Sequence, residues 1–411
     1  MAEGSRSKQS MVVWSSLRMD LVRKVGDSLL ATSDVVSYLE MRAVCHNWRV
    51  AIPKPPPMSW VADHRFRPRD WVMLDLENRV DDEEASDESD DDEEEASDES
   101  DDDEEPADGV AGRLFLQLST GRILRLRIPQ LDDDHRHHIL VGASDGLLVL
   151  GDPKGLHAAR LLNPFTGDMI PFAAPIPQES CVHTAVAGSS LSLLFSIHDY
   201  SNISSFYVYC AETTSPLCEV QFEGSEDVGF YLESLISYAG HFYMVDYDGS
   251  IFKVVGTPPH YHGELIAEAS VDYATDYFLV ESAGQLLFVS RRHKRVQVFR
   301  VDIERKLLKP VRNIGSWALF LGARCLSVDA DKLPSVDANC IYYLDDPCAS
   351  KVYDSINRYD LSNKKLERFP CAFDNHRVRS SLIRPFSIVQ TLLDYCRAFP
   401  DICAQLQYLK R

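Results

Sequence analysis

A chain of 411 residues, 45% of them apolar and 10% aromatic, can bury a sizeable core and has room for more than one structural unit. Its net charge of −21 is local: the stretch Asp81–Glu105 holds 19 of the 63 acidic residues and no lysine or arginine, and the remainder is close to neutral. Ten cysteines without a CxxC pair exclude a disulfide scaffold, and no uninterrupted apolar run is long enough to span a bilayer.

Residues 1–11 (MAEGSRSKQSM) are polar, carry no apolar secretory run, and are expected to be disordered. With free thiols in a reducing compartment, the expected localisation is cytoplasm or nucleus. Residues 12–52 are helical by pattern. Leu17, Leu21, Val25 and Leu29 recur at every fourth position. Thr32-Ser33-Asp34 then supplies N-cap chemistry for a helix carrying Val35, Val36 and Leu39. Val44, Cys45, Trp48, Ala51 and Ile52 follow with the spacing of one more helical face, which Pro53 and Pro55–Pro57 end.

Residues 53–80 read as a proline-rich linker and the start of a β domain. Residues 81–108 form an acidic repeat, in which EEASDESDDDEE at 83–94 recurs at 94–105. Such a block repels itself and buries nothing, so disorder is expected. Ser89 and Ser100, each followed by three aspartates, are candidate phosphorylation sites for an acidophilic kinase.

Residues 109–383 are rich in short runs of Val, Leu, Ile, Phe and Tyr bounded by turn residues, with hairpin bends at Asp248-Gly249 and Asn163-Pro164…Gly167. Long amphipathic helices are missing between these runs, which disfavours parallel βαβ units. A sandwich, a barrel or a propeller remains, and a propeller of this size would hold about five or six blades. Residues 384–411 turn helical again, with Ile388, Leu392 and Leu393, then Ile402, Leu406 and Leu409 after Pro400; they are expected to brace the β domain.

Several chemical signals read as structural. Gly142-Ala143-Ser144-Asp145-Gly146 matches the GxSxG nucleophile elbow, but a strand (LLVL) and not a helix follows, so a hairpin turn is expected. Asp132–His138 offers metal-ligand types on a loop with an arginine in the middle, and no metal site is assigned. Cys210/Cys218 and Cys340/Cys348 share a spacing without histidine partners, which reads as buried thiols. Arg291–Arg295 lies between two strand patterns, where a polar hairpin tip is expected, and nucleic-acid binding is disfavoured.

Two resemblances organise these readings. Residues 14–52 resemble an F-box at Leu17, Asp20-Leu21, Val25, Leu29-Leu30, Asp34 and the closing RAVC-x-x-WR (Arg42–Arg49), with Arg18 where the family usually places proline. The stretches SDGLLVL (144–150), LLNPFTGDMIPF (161–172), LFLGARCLSVDADKLPSVDANCIYYLDD (319–346) and INRYDLSNKKLERFP (356–370) resemble the C-terminal domain of a large plant F-box family, similar to Kelch-type β-propellers. The fold implied is mainly β: a three-helix F-box, a β-propeller-like domain, and short C-terminal helices.

The function implied is a non-catalytic substrate receptor of a Skp–cullin–F-box ubiquitin ligase. It would hold a Skp-type adaptor, and through it cullin and RING subunits, and present an unidentified protein target. Leu17, Leu21, Val25, Leu29, Leu30, Val44, Cys45 and Trp48 would supply adaptor contact and internal packing. No cofactor and no membrane partner are expected. Two other readings stay open: a ligand-binding or hydrolytic propeller with a structural helical N-terminus, and an acidic-loop binder of basic proteins.

Overall fold

The computed structural model describes residues 17–32, 34–54, 56–58, 63–74, 112–132, 138–151, 158–176, 182–188, 191–199, 205–222, 232–269, 276–292, 294–344, 355–370 and 388–397. The acidic repeat, Ser89, Ser100, Cys348 and residues 1–11 lie outside the described residues, as do Ile402, Leu406 and Leu409.

Three helices open the fold: α1 (Met19–Ala31), α2 (Val35–Val44) and α3 (His46–Ala51). Asp34 caps α2 as the sequence predicts, its carboxylate accepting the Ser37 N–H at 3.1 Å. The face expected to run unbroken from Val44 to Ile52 is interrupted, because Cys45 adopts extended backbone (φ −161°, ψ 170°) between α2 and α3. The two arginines of RAVC-x-x-WR stitch this break. Arg49 Nε donates to the Arg42 carbonyl at 3.3 Å, and the Arg42 guanidinium donates to the carbonyl of Ile52. Each arginine thus satisfies a carbonyl at the end of a helix that its own backbone leaves open.

The β domain is a ring of six blades among the described residues, whose neighbouring strands run antiparallel except for one parallel pair in the last blade. Blade 1 holds β1 (Trp71–Met73), β2 (Arg113–Gln117) and β3 (Ile123–Leu126), so it is assembled from both sides of the acidic repeat. Blade 2 holds β4 (Ile139–Ser144), β5 (Leu147–Gly151), β6 (Ala158–Leu162) and β7 (Met169–Pro175). Blade 3 holds β8 (Val182–Ala187), β9 (Ser192–Asp199), β10 (Ser205–Glu212) and β11 (Cys218–Phe222). Blade 4 holds β12 (Leu232–Tyr238), β13 (His241–Asp246), β14 (Ser250–Thr257) and β15 (His260–Glu268).

Blade 5 holds β16 (Asp276–Ser282), β17 (Gln285–Arg292), β18 (Arg295–Asp302) and β19 (Leu307–Val311). Blade 6 holds β20 (Trp317–Leu321), β21 (Leu326–Asp329), β22 (Cys340–Leu344), β23 (Ser355–Asp360) and β24 (Lys365–Pro370), in the order β21-β20-β22-β23-β24. The outer strands of blades 3 and 4 also pair with each other: β11 runs parallel to β15, with Phe222 against Gly263.

Unbroken apolar runs such as LLVL in β5, FYMV in β13 and ALFL in β20 are buried on both faces of their blades, and each junction is a separate core. Blades 2 and 3 join through Val149, Leu161, Leu193 and Phe195; blades 3 and 4 through Leu194, Val208, Phe242 and Met244. Phe288 and Tyr243 fill the next junction, Val289 and Ile341 the one after. Trp71, Met73, Phe115 and Leu116 of blade 1 share one core with Leu140 and Leu148 on one side and Leu326 and Val328 on the other, which closes the ring. Helix α4 (Ile388–Arg397) buries Val389, Leu392, Leu393 and Cys396 in that same core, bracing blade 6.

Inner strands are also latched by serines. Ser144 Oγ accepts the Val186 N–H at 3.0 Å, Ser234 Oγ accepts the Leu279 N–H at 3.1 Å, and Ser282 Oγ lies 2.8 Å from Ser327 Oγ. Ser144 therefore sits in the β4–β5 hairpin, paired with Leu147 across Asp145-Gly146. The expected hairpin is present, and no nucleophile elbow.

Arg291–Arg295 is a hairpin tip as expected, yet Arg291 is buried and not solvated. It pairs with Asp276 at 2.6 Å, donates to the Leu344 carbonyl at 3.1 Å and stacks over Tyr343. No helix among the described residues is long and apolar enough to cross a membrane.

Two outcomes follow from turn geometry and burial. Gly146 (φ +76°) would place a Cβ 2.0 Å from the Pro68 carbonyl oxygen, whereas Gly167 (φ +75°) has open space. In denaturant unfolding, Gly167→Ala should cost about 1 kcal/mol from the left-handed backbone alone, and Gly146→Ala at least about 3 kcal/mol, the collision adding to it.

Asp246, half-buried in the β13–β14 hairpin, is pushed up from its ordinary 3.8 to about 6 by burial, with Asp248 adding to the push. A folded-state pKa above the unfolded one contributes stability that is complete below about pH 4 and is lost as pH rises through about 6. Asp246→Asn should remove this dependence: its unfolding midpoint, relative to the parent chain, should rise between pH 4 and pH 7.

Candidate functional site

Helix α1 meets two environments. Val22, Gly26 and Leu30 form its buried row; Val22 and Leu30 share a core with Tyr38, Met41, Ala51, Ile52 and Phe66 and with Val149, Leu161, Phe172 and Phe195 of blades 2 and 3. The helical unit is thereby fused to the propeller. Arg23 Nε adds a bond to the Ala51 carbonyl at 3.2 Å, and Tyr38 Oη one to the Pro53 carbonyl at 3.0 Å.

The row that stands out in the sequence is the next one around the helix, a turn of about 100° away. Leu21 is 42% exposed and Val25 46%, one above the other at i and i+4. At the end of α2, Val44 is 56% exposed. Leu17, Leu29 and Trp48 are half-buried and lean on the helical core, Cys45 is half-buried, and Leu30 at 3% belongs wholly to the interior.

Of the eight residues singled out by sequence, three are outward, four straddle, and one is inward. Met19 and Val50 are also exposed, and neither falls on the apolar spacing that marks its helix in the sequence.

A second candidate site lies at the centre of the ring. The inner strands enclose a cavity of about 710 Å³, with Ala143, Leu235, Ile236, Leu279 and Leu326 on its walls. Adjoining it is a pocket of about 210 Å³ lined by Arg69, Asp145, Ser237, Tyr238, Ala239, Gly240, Glu281 and Gly284. The two-residue turns Asp145-Gly146, Ala239-Gly240 and Ala283-Gly284, all at positive φ, shape this end of the cavity.

Asp145, 12% exposed, holds Arg69 Nε at 2.8 Å with one oxygen, and its other oxygen lies 3.7 Å from Nη1 of the fully buried Arg67. Arg67 Nη1 also donates to the Gly188 carbonyl at 2.9 Å. Burial pushes the Asp145 carboxyl up and the Arg67 guanidinium down, and each opposes the other's shift.

Glu281 is exposed to the cavity yet ringed by protein: burial, then the charge of Asp145, raise its pKa, against the pull of Arg69. These four residues come from positions 67, 69, 145 and 281. No local spacing relates them, and sequence reading had no means of finding the group. Among the described residues no cluster of three metal-ligating side chains occurs, and the thiols of Cys210, Cys218 and Cys340 are buried and free.

Solved structures similar to the chain include the computationally designed Ika8 protein, at 12% identity and TM-score 0.29 over 56% of this chain. The chain spans less than two thirds of that protein, 62%. A putative 6-phosphogluconolactonase from Bacteroides uniformis is similar at 12% identity and TM-score 0.30, covering 64% of this chain and 78% of that one. The Cps50 (Swd1) β-propeller domain of Myceliophteria thermophila gives 12% identity and TM-score 0.31, over 62% and 79%. At such scores these likenesses bear on neither substrate nor mechanism. No curated protein matches the chain. The model of the KIB1-4 beta-propeller matches residues 115–365, well over half the chain and most of the ring described above. The chain belongs to the KIB1-4 beta-propeller family.

Proposed function

We propose that this protein is the substrate-receptor subunit of a Skp–cullin–F-box ubiquitin ligase, with its N-terminal helices gripping a Skp-type adaptor and its propeller presenting a protein target. The carrying observation is the outward row on a helix whose inward row is already satisfied. Leu21 and Val25 on α1, and Val44 at the end of α2, leave apolar surface uncovered on a unit locked to the ring by Val22 and Leu30. Full burial of a leucine or valine side chain is worth about 2 kcal/mol, so covering this face stabilises a complex appreciably. An amphipathic face of this kind suits a helix from a partner.

In this reading the chain performs no chemistry. Cullin and RING subunits, reached through the adaptor, bring the charged enzyme, and tethering raises the local concentration of target lysines. Loops at the propeller ends are the natural place for the target to bind.

The test is co-purification of the full chain with a Skp-type adaptor, comparing the parent with Leu21→Asp/Val25→Asp. Both side chains are exposed, so the variant should unfold at the parent's temperature. Adaptor affinity should fall at least about a hundredfold, from two lost apolar contacts and two carboxylates forced into the interface. Equal recovery of adaptor with a folded variant would refute the assignment.

A further inference from the structure

We propose that strand β3, the outer edge of blade 1, takes up an extended acidic segment of a partner protein as a fourth strand. This goes beyond the adaptor reading and does not depend on it, since Leu21 and Val25 lie on α1 and play no part in blade 1.

Blade 1 stops one strand short. Among the described residues blades 2 to 5 have four strands each and blade 6 has five, whereas blade 1 ends at β3. The ladder fixes which backbone groups are left over. The Leu114 carbonyl accepts the Leu74 N–H at 2.8 Å and so faces the β1 side, which turns Phe115 and Gln117 toward β3. Accordingly, the Gln117 N–H donates to the Arg122 carbonyl at 2.8 Å. Backbone direction alternates along an antiparallel strand, so Leu124 and Leu126 bond inward, and the N–H and C=O of Ile123 and Arg125 point off the edge. Such a row is a template for another strand. The other outer edges are guarded: β7 carries Pro171 and Pro175, β19 carries Pro310, β24 ends in Pro370, and β11 and β15 pair with each other. Strand β3, ILRL, has no proline.

Charge selects the partner. Ile123, 55% exposed, shares one face of β3 with exposed Arg125, and exposed Arg127 follows in the same alternation. Residues 113–131 hold four arginines and no acid. Arg122 is engaged by Glu40 at 2.6 Å, and Arg125 Nη1 donates to the Gly112 carbonyl at 3.3 Å, whereas Arg127 makes no ion pair among the described residues. Opposite charges facing each other across strands attract and like charges repel, so this edge rejects its own copy and basic strands and accepts an acidic one. The matching segment has acids at alternate positions, opposite Arg125 and Arg127, and an apolar residue two further on, opposite Ile123. The chain's own acidic run, Asp81–Glu105, contains only Asp, Glu, Ala and Ser, and so brings charge without any of the β-branched or aromatic residues that favour strands.

Fluorescence anisotropy of the labelled peptide Thr-Glu-Thr-Glu-Thr-Val-Thr, titrated with the full chain, tests the assignment, with Lys in place of both Glu as the control. The acidic peptide alone should bind. Arg125→Glu/Arg127→Glu should weaken it about tenfold and let the lysine peptide bind instead. Position 123 separates strand addition from plain charge attraction. Proline and valine carry the same number of side-chain carbons, but only valine keeps the outward N–H, so Ile123→Pro should abolish binding and Ile123→Val should keep it. These positions are exposed and the inward ladder bonds remain, so the variants should unfold at the parent's temperature; should the proline variant melt early, the charge-reversed pair decides alone. No binding of the acidic peptide, equal binding of the lysine peptide, or unchanged affinity in a folded Ile123→Pro or Arg125→Glu/Arg127→Glu chain would overturn the proposal. Adaptor capture, measured on the same variants, should stay intact, so failure here leaves the receptor reading standing.

Discussion

The fold hangs on a buried charge cluster. Residues 63–70 carry the chain from the helical unit into blade 1, and on the way Arg67 and Arg69 meet Asp145 at the β4–β5 turn. Gly146 lies so close to the Pro68 carbonyl that no side chain fits between them. Asn163 Nδ2 donates to the Phe66 carbonyl at 3.3 Å from the far end of the blade. An isolated guanidinium as deep as Arg67 would cost several kcal/mol, so Asp145 is required and not ornamental. The same carboxylate fixes the position of the connector, and with it the angle at which α1 meets blades 2 and 3.

That angle determines which row of α1 is left uncovered. The helix carries two apolar rows, and only one can face the protein's own blades. Val22, Gly26 and Leu30 take that place, packed in one core with Tyr38 and Ile52. Leu21 and Val25 are then turned away by geometry and not by any lack of hydrophobicity. A leucine and a valine on a surface are unremarkable singly; aligned one turn apart, they form a strip along the helix.

Much of this architecture was legible in the sequence. Hairpin chemistry at Asp248-Gly249 and Asn163…Gly167 predicted the bends, and short apolar runs bounded by turn residues predicted the strands. The cap at Asp34 and the buried face of α4 around Leu392 and Leu393 were legible for the same reason, since each depends on residues within a few positions of one another. Three things were not. The break at Cys45 depends on the Arg42 and Arg49 bonds across it, which spacing does not reveal. Residues 53–80 were expected to begin the β domain, but the pairing of β1 with β2 was hidden because β1 is three residues long and its partner lies some forty residues on. The direction of the α1 rows and the gathering of Arg67, Arg69, Asp145 and Glu281 depend on blades remote in sequence, and periodicity carries no information about them.

Blade 1 has one consequence of its own. Because β1 is held to β2 by ladder pairing and by the Trp71–Phe165 and Phe115–Phe165 ring contacts, the covalent link between Leu74 and Gly112 is redundant once the ring has formed. A protease cut within that link would leave two pieces that migrate together under native conditions and separate only in denaturant. The helical unit and the blades thus behave as a complementing pair of fragments joined by an interface that the ring itself supplies.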